Sequence, residues 1–522
     1  MDLVFDTSML INNSLMSDSK RKQEKPDATT FEDAIAATKF GKYNIMLIVV
    51  IALPCVTQLL NTVELSYIIP VAQCDLGLTL EDKGLINAII FAGMISTGVY
   101  WGYLCDALGR KRIIVYGFLL SGFFAAVAAL STNKFVLLAA KFMSGAIING
   151  PFSATTSHIT EFHSSEYRGR VNMARGMFLS FGSLLLPILS WAILPRKLDI
   201  FLFGILELHS WNIFLLVCAL STIFCGVVYI FIPESPKYLM STGRNEQAMQ
   251  VLQKIYSINT GNAMEDFPVK KLVEEVENNA EKVNVLVALK KCFREMKFLL
   301  HKPYVNHLLL ACFNVFSLLI SVNTVKLWLP GIFQAISDYQ NAHNGTSTNL
   351  CTMLEQMVPK ETPTSANCTV DMNNLSVYVN TFIVAAARIV AFAFSTVFIR
   401  MLGIKRLNII LCFVTAVLQF CIYFARDSTT VTILSATGTA IGSVAENLLI
   451  SLTLELFPTT LRTIALSIHL TSGRTGTLVG NIVFPYLLTS GCLPPFFWIG
   501  IFCVACGIFS FLYPSVEDKP LK

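Results

Sequence analysis

Apolar runs of roughly twenty residues, separated by short polar stretches, recur along almost the whole chain. A run of that length crosses a hydrocarbon core about 30 Å thick as a helix. The pattern predicts twelve spans, at 45–70, 85–104, 113–130, 135–158, 171–194, 211–232, 305–336, 377–399, 407–424, 431–455, 463–488 and 496–513. They form two sets of six. The expected organisation is a polar tail over 1–42, a first half over 43–235, a linker over 236–302, a second half over 303–513 and a short tail over 514–522. A polar loop over 337–376 interrupts the second half. The linker carries two amphipathic stripes, Ala248, Val251, Leu252 and Ile255, then Val269, Leu272, Val273 and Val276. Their i, i+3, i+4, i+7 spacing predicts two one-faced helices. A short helix is expected near 30–37, and span 7 is long enough to overrun the bilayer or to break.

The turn between spans 2 and 3 reads Gly102-Tyr-Leu-Cys-Asp-Ala-Leu-Gly-Arg-Lys-Arg112. Gly109 suits a tight reversal. Arg110, Lys111 and Arg112 place three positive charges at one membrane face, and Asp106 is a carboxylate at a membrane edge that needs a donor, such as a helix N-terminus. The turn has an echo in Arg400-Met-Leu-Gly-Ile-Lys-Arg406, 294 residues on, where Arg400 stands in place of Asp106. Glu161-Phe-His-Ser-Ser-Glu-Tyr-Arg168 matches Glu455-Leu-Phe-Pro-Thr-Thr-Leu-Arg462 at the same offset of 294. Two motifs repeating at one offset imply two similar halves.

Composition agrees: the chain is 54% hydrophobic and only 14% charged, too apolar for an ordinary soluble protein. The net charge of +5 carries no nucleic-acid message, because Lys and Arg collect in the tails and in alternate loops. That bias places both termini in the cytoplasm. Residues 1–42 contain no apolar core of a signal peptide, so the first span is expected to direct insertion. The loop 337–376 then lies on the opposite side, with three sequons at Asn344, Asn367 and Asn374 expected to carry glycans. Cys351 and Cys368 share that loop, and Cys74 and Cys492 fall on the same side. Of the three possible pairings, Cys351–Cys368 is favoured. No nucleophile–base set, metal cluster or phosphate loop appears on an aqueous segment, so neither enzymatic activity, nor a cofactor, nor a metal is expected.

The pattern G-x-L-x-D-x-x-G-R-K-R resembles the signature of the major facilitator superfamily between helices 2 and 3. The resemblance implies an all-α membrane protein, twelve transmembrane helices in two pseudo-symmetric six-helix bundles, and alternating access. Within that superfamily the first half resembles the synaptic vesicle glycoprotein 2 family. The carrying segments are 161–169, Trp191-Ala-Ile-Leu-Pro195, His209-Ser-Trp211 and Pro233-Glu-Ser-Pro236. The second acid of that family's helix 1 matches Glu64, but its first corresponds to Asn61, and its helix 10 acid to Ile450. By resemblance, Asp106, Gly109, Arg110, Arg112, Glu161, Arg168, Glu455 and Arg462 form a conformational gate that holds the halves together while the outside is open.

Six ionisable residues fall inside predicted spans: Glu64, Lys141, Lys326, Arg388, Glu446 and Arg474. A charge near the bilayer centre costs at least ~2.5–3.5 kcal/mol, so each needs a partner or a wet cavity. Glu64, Lys141, Lys326 and Glu446 are expected together at mid-depth, since helices 1, 4, 7 and 10 line the cavity in the superfamily. Glu64 and Glu446 are candidates for a coupling proton or cation, Arg474 and Lys326 for an anionic substrate group. The reading is a transporter of a small charged or polar solute, in the plasma membrane or a secretory or synaptic vesicle membrane. The rival is a transporter-shaped protein acting in vesicle trafficking or partner binding.

Overall fold

The computed structural model describes residues 29–196, 198–202, 206–273, 297, 299–302, 304–357 and 374–514. It divides into two compact units. The described part of the smaller comprises 29–46, 161–168 and 235–273; the rest forms the larger.

The smaller unit starts with α1 (Phe31–Ala37), capped by Thr30, whose hydroxyl accepts from the Asp33 amide at 3.3 Å. The start of α2 (Lys42–Val50) follows. Next in this unit come α10 (Pro236–Ser241) and α11 (Asn245–Thr260). Phe31, Ala34 and Ile35 of α1 pack with Leu239, Ala248, Leu252 and Tyr256 into one apolar cluster. The first linker stripe is thus a helix. The second is not: Val269 and Leu272 are buried in the same cluster but extended, and 271–273 bridges Thr29 in parallel, with Thr29 N–H donating to Lys271 O and Val273 N–H to Thr29 O. A long-range strand partner overrides the local helical spacing. Val276 lies outside the described residues. The end of the 1–42 tail is thus structured with the linker, and α1 falls where a short helix was expected near 30–37.

The larger unit holds the long helices: α3 (Ala52–Ala72), α4 (Leu80–Thr97), α5 (Tyr100–Leu108), α6 (Arg110–Ala129), α7 (Lys134–Thr160), α8 (Ser165–Ile193) and α9 (Ser210–Ile230). The second set is α12 (Tyr304–Ala342), α14 (Leu375–Leu402), α15 (Ile404–Ile422), α16 (Ser428–Leu456), α17 (Thr459–Thr489) and α18 (Leu493–Ser510), with the short α13 (Leu350–Leu354) after α12. Two short strands, β1 (Ile200–Leu202) and β2 (Leu206–Leu208), pair antiparallel between α8 and α9. At 39 residues α12 is about 58 Å long. It overruns the bilayer without breaking, despite Pro330 inside it.

The repeat predicted at 294 residues is visible in packing. α6 packs on α7 and α9, and α15 packs equivalently on α16 and α18; α4 on α7 is matched by α14 on α16. The turns agree too: Gly109 and Gly403 both sit between helices with positive φ, 94° and 75°. Among the described residues, ten helices are long and apolar enough to cross a membrane. The others of the twelve expected are α4 with α5, and α17. These pack on each other, so they present less surface to lipid and carry more polar residues. Close approach here relies on small residues: a Cβ on Gly93 would lie 2.1 Å from Phe142 O, and one on Gly145 2.3 Å from Ile90 O. Exposed rings such as Tyr116, Phe123, Phe224 and Phe394 face outward, as lipid contact requires.

At the sequon end, Cys351 is bonded to Cys492, with Cα atoms 5.4 Å apart. This corrects the Cys351–Cys368 expectation. The Leu350 amide donates to Ala425 O and docks α13 beside the α15–α16 turn, and the disulfide ties it to Cys492 in the α17–α18 turn, 141 residues distant. Cys74 is also disulfide-bonded, and Cys368 lies outside the described residues. Asn344 is exposed at a turn with φ 52°. Asn374 caps α14, accepting from the Ser376 amide at 3.0 Å and donating to the Ser337 hydroxyl. Asn367 is outside the described residues. Because a glycan on Asn374 would use the nitrogen that bonds Ser337, Asn344→Gln is expected to reduce a glycosidase-sensitive mobility shift that Asn374→Gln leaves intact.

His209, at the start of α9, meets Asp199 at 3.0 Å and Asp75 at 3.9 Å, while Trp211 Nε1 donates to Asp75 at 2.7 Å. The His-Ser-Trp segment thereby ties the end of α3 to the start of α9. Burial lowers the His209 pKa, but the Asp199 bond and the charges of Asp75, Asp199 and Glu207 outweigh it and hold the imidazole above its ordinary value. A raised folded pKa means the contribution is fully present below about pH 6.5 and is lost as pH rises through the raised value. His209→Gln is expected to flatten the decline in thermal stability between about pH 5.5 and pH 8. The effect is small, because the side chain is 33% exposed. Parallel pH profiles in the two proteins would remove the assignment.

Candidate functional site: a central cavity with two cations

A cavity of about 50 Å³ lies among α3, α8, α12, α14 and α16. Its polar lining is Tyr67, Ser183, Lys326, Thr381, Arg388, Thr439 and Ser443; Leu59, Val63, Leu186 and Leu329 supply apolar walls. Both halves contribute, so the cavity sits where two rocking bundles would meet. Lys326 comes from α12, four residues before Pro330, and Arg388 from the middle of α14. Glu446 of α16 acts electrostatically on both cations without lining the cavity. No ion pair within 4.0 Å joins the three, so the cavity carries two positive charges against one displaced negative charge.

The other two expected members of this cluster are elsewhere. Glu64 of α3 and Lys141 of α7 form an ion pair with each other, both wholly buried. Around them Asn61 Nδ2 donates to Thr222 Oγ1 at 2.6 Å, Ser144 Oγ to Asn61 Oδ1 at 3.5 Å, and Ser121 and Ser144 share a bond at 3.0 Å. The pair is sealed inside the first half. Helix 7 of the expected set lines the cavity, as do helices 1 and 10; helix 4 does not, and helices 5 and 8 take its place. Arg474 lies on α17 between Gly473 and Gly476, outside the cavity lining.

At the basic-loop end, Gly109 makes the turn from α5 to α6, and Arg112 is exposed. The Asp106 side chain lies outside what the structure describes. A carboxylate does occupy the N-terminus of α6, but it is Glu234: its oxygens accept from the Lys111 amide at 3.0 and 3.3 Å. This residue was overlooked, although the Pro233-Glu-Ser-Pro236 segment containing it was the available signal. His158 Nε2 bonds Pro233 O at 3.0 Å, a structural contact. Within the smaller unit, Glu161 accepts from the Ser235 hydroxyl, and Arg168 donates to His163 O at 3.1 Å and pairs with Glu32 at 2.7 Å. Their counterparts differ: among the described residues, Glu455 and Arg462 have no ion-pair partner. The gate residues of the two halves are thus not in equivalent surroundings.

The sequence model of the Major Facilitator Superfamily matches residues 46–359. This chain belongs to the Major Facilitator Superfamily. As a superfamily member with these helices, it is a multi-pass membrane protein. It is similar to synaptic vesicle glycoprotein 2C of Mus musculus, 25% identical over 324 residues, which covers 60% of this chain and 43% of that protein. It is also similar to synaptic vesicle glycoprotein 2B of Rattus norvegicus, 24% identical over 337 residues, covering 61% and 49%. The chain thus spans less than half the length of these curated relatives. Among solved structures, the inward-open xylose transporter XylE of E. coli superposes with a TM-score of 0.65 over 92% of this chain and 98% of that one, at 17% identity. At that identity the likeness concerns the fold alone.

Proposed function

We propose that this protein moves a small anionic solute across a membrane by alternating access, with Lys326 and Arg388 holding the anion while the halves rock about the cavity. The observation that carries the reading is two cations from different helices on one inter-half cavity, with Glu446 as their displaced counter-charge. An isolated charge in a membrane interior is costly, and a residue set that keeps two cations at a cavity is best explained by an anion that neutralises them. Glu446 then has a second role. Released when the solute takes over its cations, it is the group placed to exchange a coupling proton or cation. Glu64, paired inside the first half, is less accessible for that task.

The positive-inside bias puts the termini, the basic turns and the linker in the cytoplasm, and the sequon loop outside, in the plasma membrane or a secretory vesicle. The similarity to synaptic vesicle glycoproteins favours the vesicle.

The test is uptake into proteoliposomes bearing the purified chain, with a labelled panel of monocarboxylates, dicarboxylates, organic sulfonates, neutral sugars and organic cations. Saturable uptake confined to the anions is expected. Uptake confined to sugars or cations would remove the anion reading. No uptake of any class, with intact binding to cell proteins through the smaller unit, would favour a trafficking role.

A further inference from the structure

A second cavity, of about 60 Å³, lies at the sequon end among the last turns of α3, the first turns of α4 and the later part of α12. It shares no lining residue with the central cavity. Three of its side chains are buried with unmet needs. Lys83 is 7% exposed, and its ammonium donates to a neutral acceptor, Gln73 Oε1, at 2.9 Å; no carboxylate among the described residues pairs with it. Trp328 is 2% exposed and its indole N–H has no acceptor. Asn87 is 3% exposed; its Nδ2 reaches Leu327 O at 3.4 Å, and its Oδ1 has no donor. Asp338 also lines the cavity, accepting from Gln334 Nε2 at 2.8 Å.

Buried donors and acceptors are ordinarily paired, and a buried charge more so. Here one cation with only a neutral acceptor, and one neutral donor and one acceptor without partners, line a single cavity. Water could serve the indole and the amide but would not neutralise Lys83. A sugar would leave the same charge uncompensated. A plain alkanoate would satisfy Lys83 and Trp328 but leave Asn87 Oδ1 without a donor.

We propose that this cavity is a binding site, distinct from the central one, for a small carboxylate bearing a hydrogen-bond donor on the adjacent carbon. The carboxylate accepts from Lys83 and from the Trp328 indole N–H, and the hydroxyl or ammonium of the ligand donates to Asn87 Oδ1. The site does not depend on the anion reading of the central cavity, because it uses none of its residues. Being beside the ends of α3, α4 and α12 nearest the sequon loop, it would meet a solute from that side first.

The experiment is isothermal titration of the purified full chain with L-lactate, alongside propionate and lactate methyl ester. Saturable binding of lactate is expected, with propionate several-fold weaker and the ester not binding. Lys83→Met should weaken lactate by at least about tenfold, since a charge-assisted bond is lost. Trp328→Phe, which keeps the ring packed on Phe484 and removes only the N–H, should weaken it several-fold. Lys326→Met removes any contribution of the central cavity to lactate binding, and the saturable component that Lys83→Met weakens should persist in it. Should Lys83→Met fail to fold, Trp328→Phe decides, and wild-type affinity in that variant overturns the proposal. So does absence of lactate binding, equal binding of the ester, or loss in Lys326→Met with retention in Lys83→Met. That last pattern would leave the central anion site standing.

Discussion

Lys141→Met is expected to cost the folded protein about 3–5 kcal/mol, the usual penalty for stranding one member of a buried ion pair. Glu64 and Lys141 are both 0% exposed and form their ion pair inside the first half. Methionine fills the volume of the lysine stem but leaves the Glu64 carboxylate facing Cys218, Asn61 and apolar neighbours. The carboxylate must then take up a proton or stay charged without a partner, and either outcome destabilises the half in which it sits. Yield in detergent should fall and the unfolding transition should move down by many degrees. Glu64→Gln with Lys141→Met should recover most of the loss, because two neutral side chains of similar volume need no partner charge. The double variant separates a fold staple from a transport group. Recovery of stability with normal uptake assigns the pair to the fold; recovery of stability without uptake makes Glu64 part of the coupling machinery. If the single variant melts like wild type, the pair does not carry the stability argued here.

The sequence showed the two six-helix halves because membrane helices announce themselves by length and apolarity, and because turns repeat their glycines: Gly109 and Gly403 have the same offset and the same unusual φ. It also placed Glu64, Lys141, Lys326, Arg388, Glu446 and Arg474 within membrane-spanning helices. What it did not disclose is which way they point. In a soluble helix the polar stripe marks the outside, but in a bilayer the outward face is as apolar as the core, so orientation has no clear periodic signal. Hence Lys141 was assigned to the cavity, when it turns toward α3 and meets Glu64. Arg388 was a candidate with no place assigned to it, and it lines the cavity with Lys326.

Long-range partners were illegible for a related reason. Cys351 and Cys368 are near in sequence, but a doubled loop length costs only about 0.6 kcal/mol in closure entropy, so proximity along the chain is a weak guide to pairing. The docking of Leu350 on Ala425 decided for Cys492. Similarly, Val269 and Leu272 have helical spacing, yet Thr29 supplies an extended partner that no local pattern contains. Lys83, Asn87 and Trp328 were unremarkable in sequence. Their unmet hydrogen-bonding needs appear only when the ends of three helices are brought together.

Arg388→Gln is expected to lower kcat/KM for the transported anion by at least about tenfold, the loss that accompanies each 1.4 kcal/mol of binding. Lys326→Gln should act in the same direction, and the double variant should lose less than the product of the two, since both cations face one ligand group and are coupled. Arg388→Lys keeps the charge but loses the planar fork, so it should restore part of the activity for a solute held by charge alone, and little for one held bidentately. Glu446→Gln discriminates further. If Lys326 and Arg388 hold the solute, Glu446 competes with it for them in the empty state. Removing that competitor should lower KM. If Glu446 must also neutralise the cations again before the empty carrier can return, kcat should fall at the same time, and counterflow, which needs no empty return step, should survive. The measurement is net uptake and counterflow on one preparation of each variant in proteoliposomes. A Glu446→Gln protein with wild-type values in both assays would reduce the glutamate to a bystander, and an Arg388→Gln protein with unchanged uptake would place the substrate somewhere other than this cavity.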